Sequence, residues 1–449
     1  MRNLILVFPV LAIVVIGCKK SDFDPIDRTF GEADFTNYVS VGNSLTQGYA
    51  DGGVYEESQT YSYPSLIAQQ MRIVSPNMQD FKQPMVTGNG SGYMHLEYIS
   101  NEIEIIQPGD AGGYSADASW DTWGASEQSQ TFNNLGVSGI TLMQCVGLNE
   151  DERTINNVIL GGAEVFGFEI PGNPYSRYLD FGENPNILLG GGQDIQYIDH
   201  IRRSQATFFT CWLGNNDVLG YATSGGVSNE ISVPLIGSVD LAGLSDPITF
   251  RVKYDSIMAA FNSINAKGVC ATLPDVTVIP VFNTITVQTL KDEYGYDFVW
   301  IEDSTGTVRT ATDADLILLT ANDSVQAGMG ESETHYLTDG YVLDEMEVEQ
   351  CQYHTLLFNN SIKASAQLAG FPVVDMYSIL NDLKPGVVFD GVDISPTYVS
   401  GGAFSLDGVH LSPRGYAIVA NEFIKVINES YGSNIPELSI GAYRGVVFP

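Results

Sequence analysis

From Phe35 onward the chain alternates short runs rich in β-branched and aromatic residues with longer stretches of helical period, and this alternation constrains the fold more than any other feature. Strands separated by helices pair in parallel through crossover connections, so the pattern implies an α/β protein with a mostly parallel sheet. The strand candidates are Tyr38 to Val41, Phe132 to Leu135, Thr207 to Leu213, Val276 to Phe282 and Phe371 to Asp375. The helix candidates include Pro64 to Ile73, Ile195 to Ser204, Phe250 to Ala266, Asp344 to Leu368 and Pro413 to Asn428. Two of these place proline in the first turn, at Tyr63-Pro64 and Ser412-Pro413, and Ser412 can cap the second. In the last helix Tyr416, Ile418, Val419, Phe423 and Val426 follow the helical period, so one face should lie on the sheet.

Long polar segments separate these elements. Residues 75–130 and 283–340 are rich in Gly, Ser, Thr, Asp and Asn, and read as insertions within one body over 34–449 rather than as a second domain. The pieces Phe298 to Ile301 and Thr307 to Thr310, around Ser304-Thr305-Gly306, look like a hairpin. Insertions on an α/β core usually gather at the carboxyl ends of the strands, where they shape a substrate site. A formal net charge of -34 repels nucleic acid and anionic headgroups, while only 16% charged residues suits a folded chain rather than a disordered acidic one. Of the five cysteines, Cys145, Cys211, Cys270 and Cys351 match no zinc spacing. Cys211 lies in an apolar run and reads as a buried thiol, with disulfide pairing left open.

At the amino terminus Arg2 precedes an apolar run from Leu4 to Ile16, too short to span a bilayer and suited to a signal peptide over 1–17. The tetrad Val15-Ile16-Gly17-Cys18 resembles the bacterial lipobox, which implies cleavage before Cys18 and acylation of its sulfur. By the same resemblance, Lys19 in place of Asp points to the outer membrane of a bacterial cell envelope. Residues 18–33 are polar without period and read as a tether. The aspartates there lack the Gly and terminal Glu of a calcium loop.

Short stretches carry the chemistry. Gly42-Asn43-Ser44-Leu45 follows the first strand, and Gly42 permits a tight turn that could expose the Ser44 hydroxyl at the carboxyl edge of the sheet. It is not the Gly-x-Ser-x-Gly elbow, because Thr46 holds the final place. Asn134-Leu135-Gly136-Val137-Ser138-Gly139 follows the second strand, and Gly136 would let a backbone N–H approach a developing oxyanion. Gly214-Asn215-Asn216-Asp217 ends the strand beginning near Thr207, where the Asn216 amide could donate to the same oxyanion. Each stretch taken alone is equally compatible with ordinary turn chemistry. In Asp407-Gly408-Val409-His410 a carboxylate and an imidazole three apart can meet in a turn before a helix, as a serine nucleophile requires of its base. His95, His200, His335 and His354 lack that context.

Taken in order, the four stretches resemble the SGNH (GDSL) hydrolase family, named for the Ser, Gly, Asn and His found here as Ser44, Gly136, Asn216 and His410. The resemblance implies a three-layer α/β/α sandwich with a flavodoxin-like sheet, and hydrolysis of carboxylic esters without metal or organic cofactor. It further implies a Ser44, Asp407 and His410 triad, with Ser44, Gly136 and Asn216 around the oxyanion. Asn43 stands where the family name has Asp, which bears on local loop hydrogen bonding rather than on the triad.

Two alternatives share the fold: a surface lipoprotein that binds without turnover, and an acyltransferase using the same triad. Lipids, simple acyl esters and acetylated glycans all stand as substrate partners. The apolar residues after Asp217, through Val218 to Gly226 and on to Val233 to Ile236 and Val239 to Leu244, read as a mobile loop that could line an acyl site. Each methylene buried there would contribute up to about 0.8 kcal/mol, so activity should rise from acetyl to medium-chain esters.

Overall fold

The structure, a computed structural model, describes residues 28–118, 131–165, 168–170, 172–181, 195–233 and 237–449. The signal segment, the Cys18 junction and residues 19–27 of the tether lie outside the described residues.

Five strands form the central sheet: β1 (Tyr38–Gly42), β2 (Asn134–Gly136), β3 (Phe208–Trp212), β4 (Lys267–Ala271) and β5 (Val373–Val374). Their spatial order is β5-β4-β3-β1-β2, and every pairing is parallel. This is the flavodoxin-like order, in which the connections leaving β1 and β3 diverge and open a crevice at their carboxyl ends. Alternate residues of β3 face opposite ways and define the layers. Phe208 packs on Tyr431, and Trp212 packs on Tyr63 and Phe423. These partners belong to helices α2 (Tyr63–Val74) and α7 (Pro413–Tyr431), which follow the short helix α1 (Ser44–Gln47) and close one face. On the other face Phe209 stacks on Phe261, 3.6 Å between ring centroids. That face is covered by α3 (Tyr197–Arg203), α4 (Asn216–Thr223), α5 (Pro247–Ser263) and α6 (Glu345–Ala369). The fold is thus an α/β/α sandwich around a parallel sheet.

The helix signals act as their chemistry dictates. Ser412 caps α7 by accepting the Gly415 N–H, and Pro413 opens its first turn. Asp344 caps α6 by accepting from Glu347, whose carboxylate takes the Asp344 N–H in return.

Two expectations fail for identifiable reasons. The run Val276 to Phe282 is no strand: the fourth strand lies earlier, at Lys267–Ala271, and the run folds into a 3-10 turn, Val276–Val278, and a short helix, Pro280–Asn283. Pro280 has no N–H for a ladder, and the Asp275 carboxylate caps the turn by accepting from Thr277. The stretch expected as a loop after Asp217 begins as helix, since Val218 to Thr223 belong to α4 with Val218 and Ala222 buried in the core, while residues 234–236 lie outside the described residues.

The segment 283–343 has its own small apolar cluster, including Leu290, Ile301, Ile317 and Leu337. Its hairpin pairs Trp300–Glu302 with Val308–Thr310 around the expected turn. The segment after residue 75 carries a hairpin of His95–Ile99 with Glu102–Ile106. All four cysteines in the described residues are buried and free of disulfides.

Candidate active site

Ser44 is the first residue of α1, directly beyond β1 and at the β1/β3 crevice. Gly42 is obligatory there, since a Cβ would collide with the Thr46 side chain and approach the Trp212 carbonyl. The Asn43 side-chain oxygen accepts the Leu45 N–H at 3.1 Å and caps the turn. Thr46 in turn bonds Tyr63 at 2.8 Å, so α1 is tied to the buried hydroxyls beneath the sheet edge. The sequence departure at Asn43 therefore preserves the acceptor that the turn needs, while its Nδ2 is buried without a protein partner.

The turn from Asp407 to His410 brings its imidazole over this serine. His410 Nε2 lies 2.8 Å from Ser44 Oγ, and His410 Nδ1 lies 2.9 Å from Asp407 Oδ2. An ionised carboxylate only accepts, so Nδ1 carries the proton and Nε2 is free to accept from the serine. Burial alone would raise the Asp407 carboxyl. The adjoining His410 charge and hydrogen bonds, together with the Val409 N–H, outweigh it and hold the group well below the usual carboxylate range. Asp407 also accepts from Gly52 N–H at 3.0 Å and from Ser405 Oγ at 3.1 Å.

Several supporting residues carry no motif and were not singled out by the sequence. Asp51 accepts from the Leu406 N–H at 2.8 Å and from the Tyr55 hydroxyl at 2.6 Å, bracing the loop that bears Asp407. Burial raises the Asp51 carboxyl, and the neighbouring Asp407 charge adds to that. The Tyr49 ring sits 4.5 Å from the His410 ring and limits its rotation. Gln47 accepts from both the N–H and the hydroxyl of Ser138, at 2.9 and 2.7 Å, which docks the loop after β2 against α1. The recurrence of a polar side chain a few residues from each motif is the only sequence trace of this support.

The N–H groups expected to face an oxyanion differ in what they already bond. Gly136 donates its N–H to the Asn134 side-chain oxygen at 2.9 Å, so that proton is committed. Gly136 is glycine for space: a Cβ would run into the backbone of Thr46 and Gln47. Among the described residues, no acceptor takes the N–H of Ser44 or of Gly139. Gly139 has φ +82°, a left-handed backbone that glycine adopts without strain. Asn216 uses one amide hydrogen on the Ile140 carbonyl, at 2.9 Å, and has a second to offer. Asn216 lines one cavity together with Ser44 and His410. The other histidines are elsewhere: His95, for example, pairs with Glu97 at 3.0 Å.

A serine hydroxyl hydrogen-bonded to an imidazole that a buried carboxylate orients is the constellation of the serine hydrolases. The profile of the GDSL-like Lipase/Acylhydrolase family matches residues 38–423, most of the chain, and the chain belongs to that family. At the level of the family it is a hydrolase of ester substrates. No curated protein matches the chain with significance.

Proposed function

We propose that this protein is a serine carboxylic ester hydrolase working through an acyl-enzyme on Ser44. His410 Nε2 takes the Ser44 proton as Oγ attacks the ester carbonyl, and Asp407 stabilises the imidazolium that results. The N–H groups of Ser44 and Gly139 and the free Asn216 amide hydrogen meet the tetrahedral oxyanion. His410 then gives its proton to the leaving alcohol, and water, deprotonated by the same imidazole, releases the acid. The observation that carries this is the unbroken line from Asp407 Oδ2 through His410 to Ser44 Oγ, with contacts of 2.9 and 2.8 Å. Gly139 replaces Gly136 in the oxyanion role because its proton alone is uncommitted.

The lipobox-like Val15-Ile16-Gly17-Cys18 supports a lipid anchor at Cys18, holding the enzyme on the cell envelope, at the outer membrane. A fluorophosphonate probe tests the catalytic part: it should label the wild type at Ser44 and leave Ser44→Ala unlabelled. Labelling of Ser138 in either protein would overturn the nucleophile assignment. Cys18→Ser tests the anchor, since it should release the protein from the membrane fraction.

A further inference from the structure

A cavity of about 40 Å³ opens beside Ser44, with Ser44 and His410 in its wall. Its remaining lining is largely apolar and includes Leu45, Leu219, Ile279, Leu380, Phe404 and Val409. We infer that this cavity is the acyl pocket of the esterase proposed above, and that it admits an acyl group of about two to four carbons while excluding medium and long chains. That space is small, on the scale of a few water-sized groups. That suits an acetyl to butyryl tail beyond the carbonyl carbon at Ser44 better than a longer chain.

The walls leave little room to give. Phe404 and Leu411 are almost wholly buried and belong to the main core, and Leu380 is anchored there as well. Asn43 and Asn215 also line the cavity, at 1% and 4% exposure, and Asn43 Nδ2 and Asn215 Oδ1 have no protein partner. Two larger cavities among the described residues, of about 830 and 350 Å³, have neither Ser44 nor His410 in their walls. This reverses the medium-chain preference suggested by the apolar residues after Asp217. Of that stretch, Val218 to Thr223 lie in α4, with Val218 turned into the core and Leu219 narrowing the pocket.

The test compares 4-nitrophenyl acetate, butyrate and octanoate on the full chain and on Leu219→Ala, with Leu380→Ala as a second widening variant and thermal melting as the fold control. For the wild type, kcat/KM should be at least about 100-fold lower for octanoate than for acetate or butyrate. Leu219→Ala, at a half-buried position, should raise the octanoate-to-acetate ratio about tenfold, and a folded Leu380→Ala should do the same. Turnover that rises from acetate to octanoate, or a ratio unmoved by the widening variants, would overturn the inference while leaving the esterase intact. Failure to turn over any ester, with no fluorophosphonate labelling of Ser44, would overturn the proposed function itself and the pocket with it.

Discussion

The ledge built from residues 42–52 and 403–412, and the insertion 283–343, are both loop-rich and polar in sequence, yet they are held by different means. On the ledge the work falls to hydrogen bonds. Asp407 accepts from Gly52, Ser405, Val409 and His410, and Asp51 ties down Leu406 and Tyr55. The insertion instead buries an apolar cluster of its own and fastens its hairpin with Arg309, which grips Asp315 through two bonds of 2.7 and 2.8 Å. Hydrogen bonds fix direction, and apolar burial fixes compactness. The proton transfer proposed between Ser44 and His410 needs direction. Substitutions on the ledge should therefore cost turnover far more than stability, and substitutions in the insertion the reverse.

The sharpest form of that contrast is at the triad. Ser44→Ala and His410→Ala should each lower kcat by a factor on the order of 10⁴ or more, while thermal melting shifts by no more than about 2 °C. A melt that collapsed with either substitution would make these side chains structural and erase the distinction. Next comes Asn216→Ala, which should lower kcat by about 10²- to 10³-fold, near 3 kcal/mol, with KM little changed, because an oxyanion donor acts in the transition state. A loss confined to KM would make Asn216 a substrate-binding group instead.

How far the fold and the candidate site were legible in the sequence follows the same division. Ser44, Asn216, Asp407 and His410 stand in local patterns whose turn chemistry is visible in a few residues, and the strand-helix alternation gave the layers. The proposal moves the oxyanion role from Gly136 to Gly139 because glycine answers two demands, space and backbone exposure, and only the fold shows that α1 presses on Gly136 and that its N–H is taken by Asn134. Asp51, Tyr49 and Gln47 were invisible because their partners lie far along the chain, as with Asp51 and Leu406, 355 residues apart. The false strand at Val276 to Phe282 came from weighing apolar density above the proline inside it, whereas Lys267–Ala271, with Gly268 beneath the Phe209 ring, is a poorer-looking but real strand.

Removing the clamp of the insertion probes the other half of the contrast. Arg309→Ala leaves Asp315, whose side chain is wholly buried, without its cation. Stability of the insertion should fall by about 2 kcal/mol, the scale of a hydrogen bond between charged groups, while Thr312 and the Glu345 N–H go on donating to Asp315. Hydrogen exchange should localise the loss to residues near 300–317, and kcat/KM for a short ester should stay within about twofold. A fall in turnover as large as that of Asn216→Ala would show that the insertion aims the site and does not merely flank it.

Two buried carboxylates carry the comparison into pH. Burial pushes Asp217, at the start of α4 behind Asn216, up to about 6, although the Leu142 N–H and the Ser245 hydroxyl favour its charged form. Burial acts on Asp315 in the same sense, but Arg309 overrides it and the carboxyl lies below its ordinary range. The consequences have opposite signs. Between the unfolded value near ~4 and about 6, folded Asp217 keeps a proton that the unfolded chain has released, so this contribution to stability declines as pH rises through that window and is level above it. Asp315 contributes stability that is full above the unfolded value and is lost as pH falls through its lower folded one. Asp217→Asn carries no proton to lose, keeps an acceptor for Leu142 and can donate to Ser245 Oγ. Measured against that variant, the wild type should be relatively more stable at about pH 4.5 than at about pH 7, by no more than about 2 kcal/mol. Parallel stability curves for the two proteins would mean that Asp217 is charged throughout, and that the support behind the oxyanion donor is as indifferent to pH in this range as the clamp in the insertion.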